Sequence, residues 1–206
     1  MAIINEVELN KKFESLAKSK RYTNFMWGAA NTRTIAAKNA LLDELDENIV
    51  IQEIVSSSKD PSISNSEIVS KGNLTAFLGL EAGQGEGQIN GLKTVINANI
   101  STSSEAKVKW TKNKATYSFV VKTPTQTSME SVTPVGWTTK SWIPIIENGI
   151  SSTLRKFIFW SEGFGAKSNS RSGTGLQTKG DVANVAELTP TPFIKQLFID
   201  FKAKFE

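Results

Sequence analysis

The sequence predicts an α+β fold, a curved antiparallel β-sheet packed by an N-proximal helix and a C-terminal helix, with long extended loops. Apolar residues recur at helical spacing near both ends of the chain. Between these ends, Val108 and Trp110 alternate with lysines, as is typical of a strand with one wet face. The chain has 206 residues, 39% of them hydrophobic, so we expect one structural domain over residues 1–206 with a packed core.

Residues 1–30 are expected to form an N-terminal arm that contains a helix. Within residues 5–19, Val7 and Phe13 belong to an apolar set at approximately helical spacing. The aromatic segment over residues 22–27 is predicted to be a link, because no helical pattern continues through it. A link this apolar could pack in the core or cover a neighbouring protein.

The next elements are predicted to be a helix and a strand. Apolar residues over 31–46 recur at helical spacing, with Asn31 or Thr32 as the N-cap. The compact β-branched run over residues 49–55 predicts a strand.

Two segments precede the hairpin: a glycine-rich one at residues 83–87, and one at residues 89–96 whose apolar residues have helical spacing. The glycines of residues 83–87 resemble those of a phosphate-binding loop, but no Gly-Lys-Ser/Thr follows them. We therefore predict a flexible connector there. Residues 89–96 are apolar at helical spacing, and a helix is favoured over a strand.

The clearest element is an antiparallel hairpin. Residues 106–110 and 117–121 each alternate apolar and polar side chains, and residues 111–114 make the turn between them. We expect one face of this hairpin to be buried and the other to face water.

The last third combines short helices with a long loop. Ser141 is placed to cap a helix that runs through Glu147 and is closed by Gly149. Residues 155–160 are apolar enough for a strand or a buried helical turn. Residues 161–186 are rich in Gly, Ser, Asn and Lys, which predicts an extended loop that becomes ordered only on assembly.

A C-terminal helix is predicted after the Thr-Pro-Thr-Pro run over residues 189–192. Its apolar residues fall mostly on one broad stripe, with the lysines beside or opposite it. Phe198 and Phe201 belong to that stripe, so both are expected to lie in the core.

Composition excludes much catalytic chemistry. The chain has no histidine and no cysteine, so Ser-His-Asp and Cys-His catalysis and ordinary zinc sites cannot be built. We expect a non-enzyme without cofactor or metal. The acidic group at Asp43, Glu44, Asp46 and Glu47 fits a solvated helix end better than a cation site. No apolar run approaches the ~18 residues that a membrane span needs, and the first residues lack the pattern of a signal peptide, so a cytoplasmic protein is expected.

The order of several motifs resembles the tail-completion and head-to-tail connector (neck) proteins of tailed bacteriophages. The resemblance covers about residues 31–206 and rests on the first helix, the strand predicted over residues 49–55, the segment over residues 72–80, the hairpin and a series of short motifs. Those motifs are Thr133-Pro134, Gly136-Trp137, Ser141-Trp142, Glu147-Asn148-Gly149, residues 170–177 and the Pro192-Phe193 helix. The resemblance implies a virion structural subunit, made in the host cytoplasm, that joins the tail to the portal or connector of the capsid.

That resemblance also implies a homo-oligomeric ring, for which sixfold symmetry is favoured over twelvefold. Ring closure requires heterologous, head-to-tail contacts. Contact with the portal, with tail proteins and non-specifically with packaged DNA is expected, and contact with a membrane is not. The candidate interface residues are two tryptophans and three basic residues of the long loop, namely Trp137, Trp142, Lys167, Arg171 and Lys179.

Two other functions remain open at this stage. The basic segments at residues 107–114 and 167–179 fit a nucleic-acid-binding module, since lysines neutralise phosphates without reading sequence. Trp137 and Trp142 fit a carbohydrate-binding domain, although tryptophan is commoner in cores and subunit interfaces.

Overall fold

A computed structural model describes residues 6–56, 66–69, 72–81, 83–111, 114–136, 139–149, 157–158, 176–177 and 188–205. Eight helices and four strands lie in these ranges. The helices are α1 (Glu6–Ala17), α2 (Lys20–Glu47), α3 (Ile49–Ser56), α4 (Leu74–Phe77), α5 (Gln84–Asn99), α6 (Gln126–Glu130), α7 (Trp142–Asn148) and α8 (Phe193–Ala203). The strands are β1 (Ser101–Thr111), β2 (Lys114–Lys122), β3 (Phe157–Ile158) and β4 (Leu176–Gln177).

The predicted α+β class is confirmed. Most of the described residues are helical, and the principal sheet is the antiparallel pair β1–β2. The chain divides into two compact units: unit 1 is Met1–Asn39 with Asn97–Pro124, and unit 2 is Ala40–Ile96 with Thr125–Glu206. This division describes packing within the chain, and one structural domain over 1–206 stays a prediction.

Unit 1 begins with the predicted helix, but its second helix starts earlier than expected. The segment over 22–27 is not a link, because α2 begins at Lys20. Thr32 is not a cap either: its hydroxyl donates to the Gly28 carbonyl at 3.0 Å inside the helix. A helix carries this stretch because it contains no proline, and its one glycine costs only about 1 kcal/mol in a helix interior.

The hairpin of unit 1 has the predicted strands and turn position. Ala106 pairs with Phe119 and Val108 with Tyr117, so the apolar side chains share one face. The Tyr117 hydroxyl donates to the carbonyl oxygen of Ala17 at 2.8 Å, which ties this face to the end of α1. The expectation of a buried face is wrong in degree, since these side chains are only half-buried.

Unit 2 contains the largest correction, because the predicted strand over residues 49–55 is helix α3. The Asn48 side chain accepts the Val50 amide at 3.0 Å and so caps the first turn. The helix then buries Val50, Ile51 and Ile54 on one side. This burial outweighs the modest strand preference of β-branched residues.

The glycines over residues 83–87 do not form a flexible connector. Gly83 has φ +78, and the residues after it form the first turn of α5. A Cβ on Gly85 would lie 2.6 Å from the carbonyl oxygen of Ile54, so this glycine lets α5 approach α3 closely. The helix predicted over 89–96 is confirmed as part of α5.

Helices α7 and α8 pack together in unit 2. Ser141 caps α7 as predicted, and Gly149 follows the helix with φ +68. The Glu147 carboxylate accepts the Lys195 amide at 2.8 Å, which satisfies a donor in the first turn of α8. Phe201 is buried as predicted, whereas Phe198 is only half-buried.

The long segment between α7 and α8 is described at only two short strands. Phe157 pairs with Gln177 and Ile158 with Leu176, so the strand alternative at residues 155–160 is confirmed for those two residues. β4 lies inside the loop predicted over 161–186. The remainder of that prediction lies outside the described residues.

Candidate assembly surface

Four of the five predicted interface residues, Trp137, Lys167, Arg171 and Lys179, lie outside the described residues. The fifth, Trp142, is 0% exposed. Its ring stacks on Phe193 with the ring centroids 6.0 Å apart. A side chain enclosed in this way offers no surface to a neighbouring subunit or to a sugar, so its assignment to an interface is not supported.

The polar edge of Trp142 is also satisfied within unit 2. Its indole N–H donates to the Gln88 side-chain oxygen at 2.6 Å. The Gln88 amide nitrogen in turn donates to the Pro134 carbonyl at 2.8 Å. These two hydrogen bonds, one buried and one part-buried, join α5, the segment before α7, and α7 itself. Trp142 is therefore part of the scaffold.

Other motifs behind the resemblance serve the same core. The Gly136 amide donates to the Leu78 carbonyl at 2.9 Å. A Cβ on Gly136 would lie only 1.6 Å from the carbonyl oxygen of Gly79, so no other residue fits. A Cβ on Gly149 would come within 2.8 Å of the Pro190 ring. These glycines hold the backbone of unit 2 together.

Unit 1 buries few apolar side chains and exposes many of them. Among the described residues, its buried apolar side chains are Ala17, Ala37 and Ile100, against twenty-four in unit 2. Eight of the ten exposed large apolar residues nevertheless belong to unit 1. We call these eight the apolar surface of unit 1: Val7, Leu9, Phe13, Leu16, Tyr22, Phe25, Ile35 and Val120. Together they expose on the order of 700 Å². Val120 lies on the polar side of the hairpin, so the residues of α1 and α2 account for most of this area.

On α1 this surface forms a stripe. Leu9, Phe13 and Leu16 are spaced i, i+4, i+7 and therefore lie on one side of the helix. Each is more than two-fifths exposed. The neighbouring side of the helix, which includes buried Ala17, packs within unit 1. The sequence pattern was thus amphipathic, but most of the apolar stripe is left uncovered by this chain.

On α2 the stripe continues with aromatic and small residues. Tyr22, Phe25, Ala29 and Ala36 fall within one side of the helix and are all exposed. Phe25 is the most prominent, at 74% exposed. Further along the same side, the residue type changes to acidic at Asp43. The apolar character is confined to the half of α2 that belongs to unit 1.

A second sign of incomplete packing in unit 1 is an unsatisfied indole. The Trp27 N–H is shielded from solvent, yet it has no hydrogen-bond partner among the described residues. Such a donor typically costs about 1–3 kcal/mol.

The two units differ in net charge as well as in the exposure of apolar side chains. Unit 1 contains twelve Lys and Arg residues against four Asp and Glu, which is a net charge of +8. The whole chain has +4, so unit 2 has −4. The small overall charge therefore conceals a basic unit and an acidic unit.

The described residues offer little support for a small-molecule or metal site. They contain no group of three or more Asp, Glu, His or Cys side chains suited to a metal ion. No helix in the described ranges combines the length and apolarity needed to cross a bilayer.

Comparison with known proteins adds no relative: no family model, no curated protein and no solved structure matches the chain.

Proposed function

We propose that this protein is a non-enzymatic structural subunit that assembles with copies of itself through the apolar surface of unit 1. The observation that carries the proposal is that, among the described residues, unit 2 has twenty-four buried apolar side chains and unit 1 has three. Monomeric proteins rarely leave a large contiguous apolar patch in water. Contact with a second copy removes such a patch from water, as in homo-oligomer interfaces.

We further propose that the assembly is a ring in the neck of a tailed-bacteriophage virion, where it joins the tail to the capsid. The support is the ordered series of motifs that resembles tail-completion and connector proteins. Sixfold symmetry is favoured over twelvefold, and the expected partners are the portal or connector and the tail proteins. Such a subunit requires surfaces and no active site, which fits a chain without histidine or cysteine.

Self-assembly is tested by placing a charge in the apolar surface. Phe25→Asp should shift the purified protein from an oligomer towards a monomer, because assembly would bury an unpaired carboxylate. Ile199→Asp is the matched control, since Ile199 is 50% exposed on α8 of unit 2 and should tolerate the same change. Sedimentation velocity with light scattering measures the mass, and circular dichroism verifies that both variants are folded.

Two results would contradict the self-assembly proposal. One is a wild-type protein that stays monomeric over the whole accessible concentration range. The other is a Phe25→Asp variant that assembles as well as Ile199→Asp.

The place in the virion needs a separate test. In a phage that encodes this protein, disrupting its gene should leave DNA-filled capsids and free tails that do not join, visible by electron microscopy. Neighbouring reading frames should encode other virion proteins. Normal joined particles without the protein would exclude the neck assignment while leaving self-assembly intact.

A nucleic-acid-binding module is the second candidate, and one observation favours it. Lys107, Lys109, Lys114 and Lys122 are all exposed on the polar side of the hairpin, opposite its apolar face. Binding of duplex DNA that weakens steeply with salt and disappears on replacing these lysines would favour this candidate. Carbohydrate binding loses its support from Trp142, which is enclosed in the core.

A further inference from the structure

The polar side of the β1–β2 hairpin is an ordered basic surface. Its residues pair across the strands as Lys107 with Ser118, Lys109 with Thr116, Thr111 with Lys114, and Ser101 with Lys122. We call Lys107, Lys109, Lys114 and Lys122 the lysine face. All four are exposed, and no acidic side chain of the described residues forms an ion pair with them.

An acidic surface of unit 2 has matching geometry at the C-terminal end of α2. Asp43 and Glu47 are exposed one helical turn apart, and neither pairs with a basic side chain among the described residues. We call this pair the acidic end of α2. Nearby Asp46 differs, because it already pairs with Lys93.

A groove near the acidic end gives this surface shape as well as charge. It has a volume of about 500 Å³ and is lined by residues of α2, α3 and α5. Asp46, Glu86 and Lys93 line it, and because Asp46 pairs with Lys93, only Glu86 adds net negative charge. Val55, which is exposed, adds an apolar patch. The region therefore combines a concave surface, unpaired carboxylates and apolar contact area.

We infer that copies of the chain join head to tail, with the lysine face of one copy against the acidic end of α2 in the next copy. The inference rests on the proposed self-assembly and assigns its direction. The units carry +8 and −4, so unit 1 repels unit 1 of another copy and attracts its unit 2.

The spacing of the charges fits this pairing. Side chains two apart on a strand, such as Lys107 and Lys109, project about 7 Å from each other. Side chains one turn apart on a helix, such as Asp43 and Glu47, project about 6 Å from each other. Two lysines can therefore meet two carboxylates at the same time. A contact between different surfaces closes into a ring when the rotation between copies permits it.

Charge reversal on each side separates this arrangement from its rivals. Variant A carries Lys107→Glu and Lys109→Glu, and variant B carries Asp43→Lys and Glu47→Lys. Each variant alone should assemble roughly tenfold to hundredfold more weakly, because two attractive pairs become repulsive. An equimolar mixture should regain assembly, since unit 1 of B then meets unit 2 of A, and unit 1 of A meets unit 2 of B.

A matched control carries Lys195→Glu and Lys202→Glu, two exposed lysines of α8 in unit 2. It should assemble as the wild type does. Sedimentation velocity at low salt measures the wild type, A, B, their mixture and the control, and recovery in the mixture shows that A and B are folded. Added salt should weaken wild-type assembly.

Each other outcome overturns the inference. If the wild type is monomeric, the proposed self-assembly fails and the inference falls with it. If the wild type assembles and B does so equally well, only the head-to-tail contact is refuted, and contact of unit 1 with unit 1 replaces it. If A assembles normally but loses affinity for a short DNA duplex, the lysine face serves nucleic acid instead.

Discussion

The buried hydrogen bonds of Gln88 allow a prediction of stability with a worked magnitude. Replacing Gln88 by Leu keeps a side chain of similar size but removes both its hydrogen bonds. The indole N–H of Trp142 then loses its partner inside the core, and the half-buried carbonyl of Pro134 loses the other hydrogen bond. The buried donor costs about 1–3 kcal/mol and the half-buried carbonyl less, so Gln88→Leu should lower the free energy of unfolding by about 1–4 kcal/mol.

A double-mutant cycle identifies the cause. Trp142→Phe alone should cost about 2–4 kcal/mol, through lost packing and a stranded Gln88 oxygen. In the double variant neither end of the indole–amide bond remains, and only the Pro134 carbonyl is still unpaired. The two changes should therefore cost about 1–3 kcal/mol less together than their sum.

Urea unfolding followed by circular dichroism, at one fixed protein concentration, measures these free energies. Asn90→Leu is the control, because Asn90 is exposed two residues along the same helix and should change stability by less than about 0.5 kcal/mol. Strict additivity of Gln88→Leu and Trp142→Phe would refute the coupling. A Gln88→Leu variant as stable as wild type would refute the buried network itself.

Three further predictions concern packing and order. Phe201→Ala should destabilise the fold by about 3–5 kcal/mol and half-buried Phe198→Ala by clearly less, so equal melting temperatures for the two variants would contradict the packing of α8. Gly136→Ala should disrupt unit 2. Gly91→Ala should be neutral or stabilising by up to ~1 kcal/mol, because its Cβ would meet Val132 no closer than 3.4 Å. A Gly91→Ala variant that is less stable than Gly136→Ala in urea unfolding would contradict this. Residues 161–186, apart from the paired strand β4, should exchange amide hydrogens within seconds in the free subunit and become protected in the assembled particle. Strong protection of these amides in the monomer would show that the segment packs internally.

Local patterns predicted the elements whose signal is local. The hairpin was found because alternation repeats on both strands, and α7 because Ser141 and Gly149 mark its two ends. The run over residues 49–55 was misread because its side chains suit a strand, while the cap from Asn48 and the burial of α3 favour a helix. Such burial depends on contacts with residues far along the chain, and a short stretch of sequence does not contain them.

The short motifs of the resemblance and the exposed apolar stripes lie in different units. The described motifs that carry the resemblance, such as Ser141-Trp142 and Glu147-Asn148-Gly149, lie in unit 2 and hold its core together. The exposed apolar stripe of α1 and α2 lies in unit 1, where sequence reasoning had expected a helix and an aromatic link. The prediction left open whether the aromatic residues of this segment pack in the core or cover a neighbour. Phe25 is exposed, which supports the second alternative as a proposal.

An amphipathic sequence pattern predicts that the apolar face of a helix or strand is covered, but it does not identify the molecule that covers it. Leu9, Phe13 and Leu16 show the spacing of a core-facing helix, yet this chain leaves them exposed. The apolar face of the hairpin, which the chain only half-buries, presents the same ambiguity. Periodicity alone therefore could not separate core from interface in this protein. The separation comes from comparing the units: unit 2 encloses its apolar side chains, and unit 1 has too few neighbours to do so, which makes unit 1 the place to look for the partner.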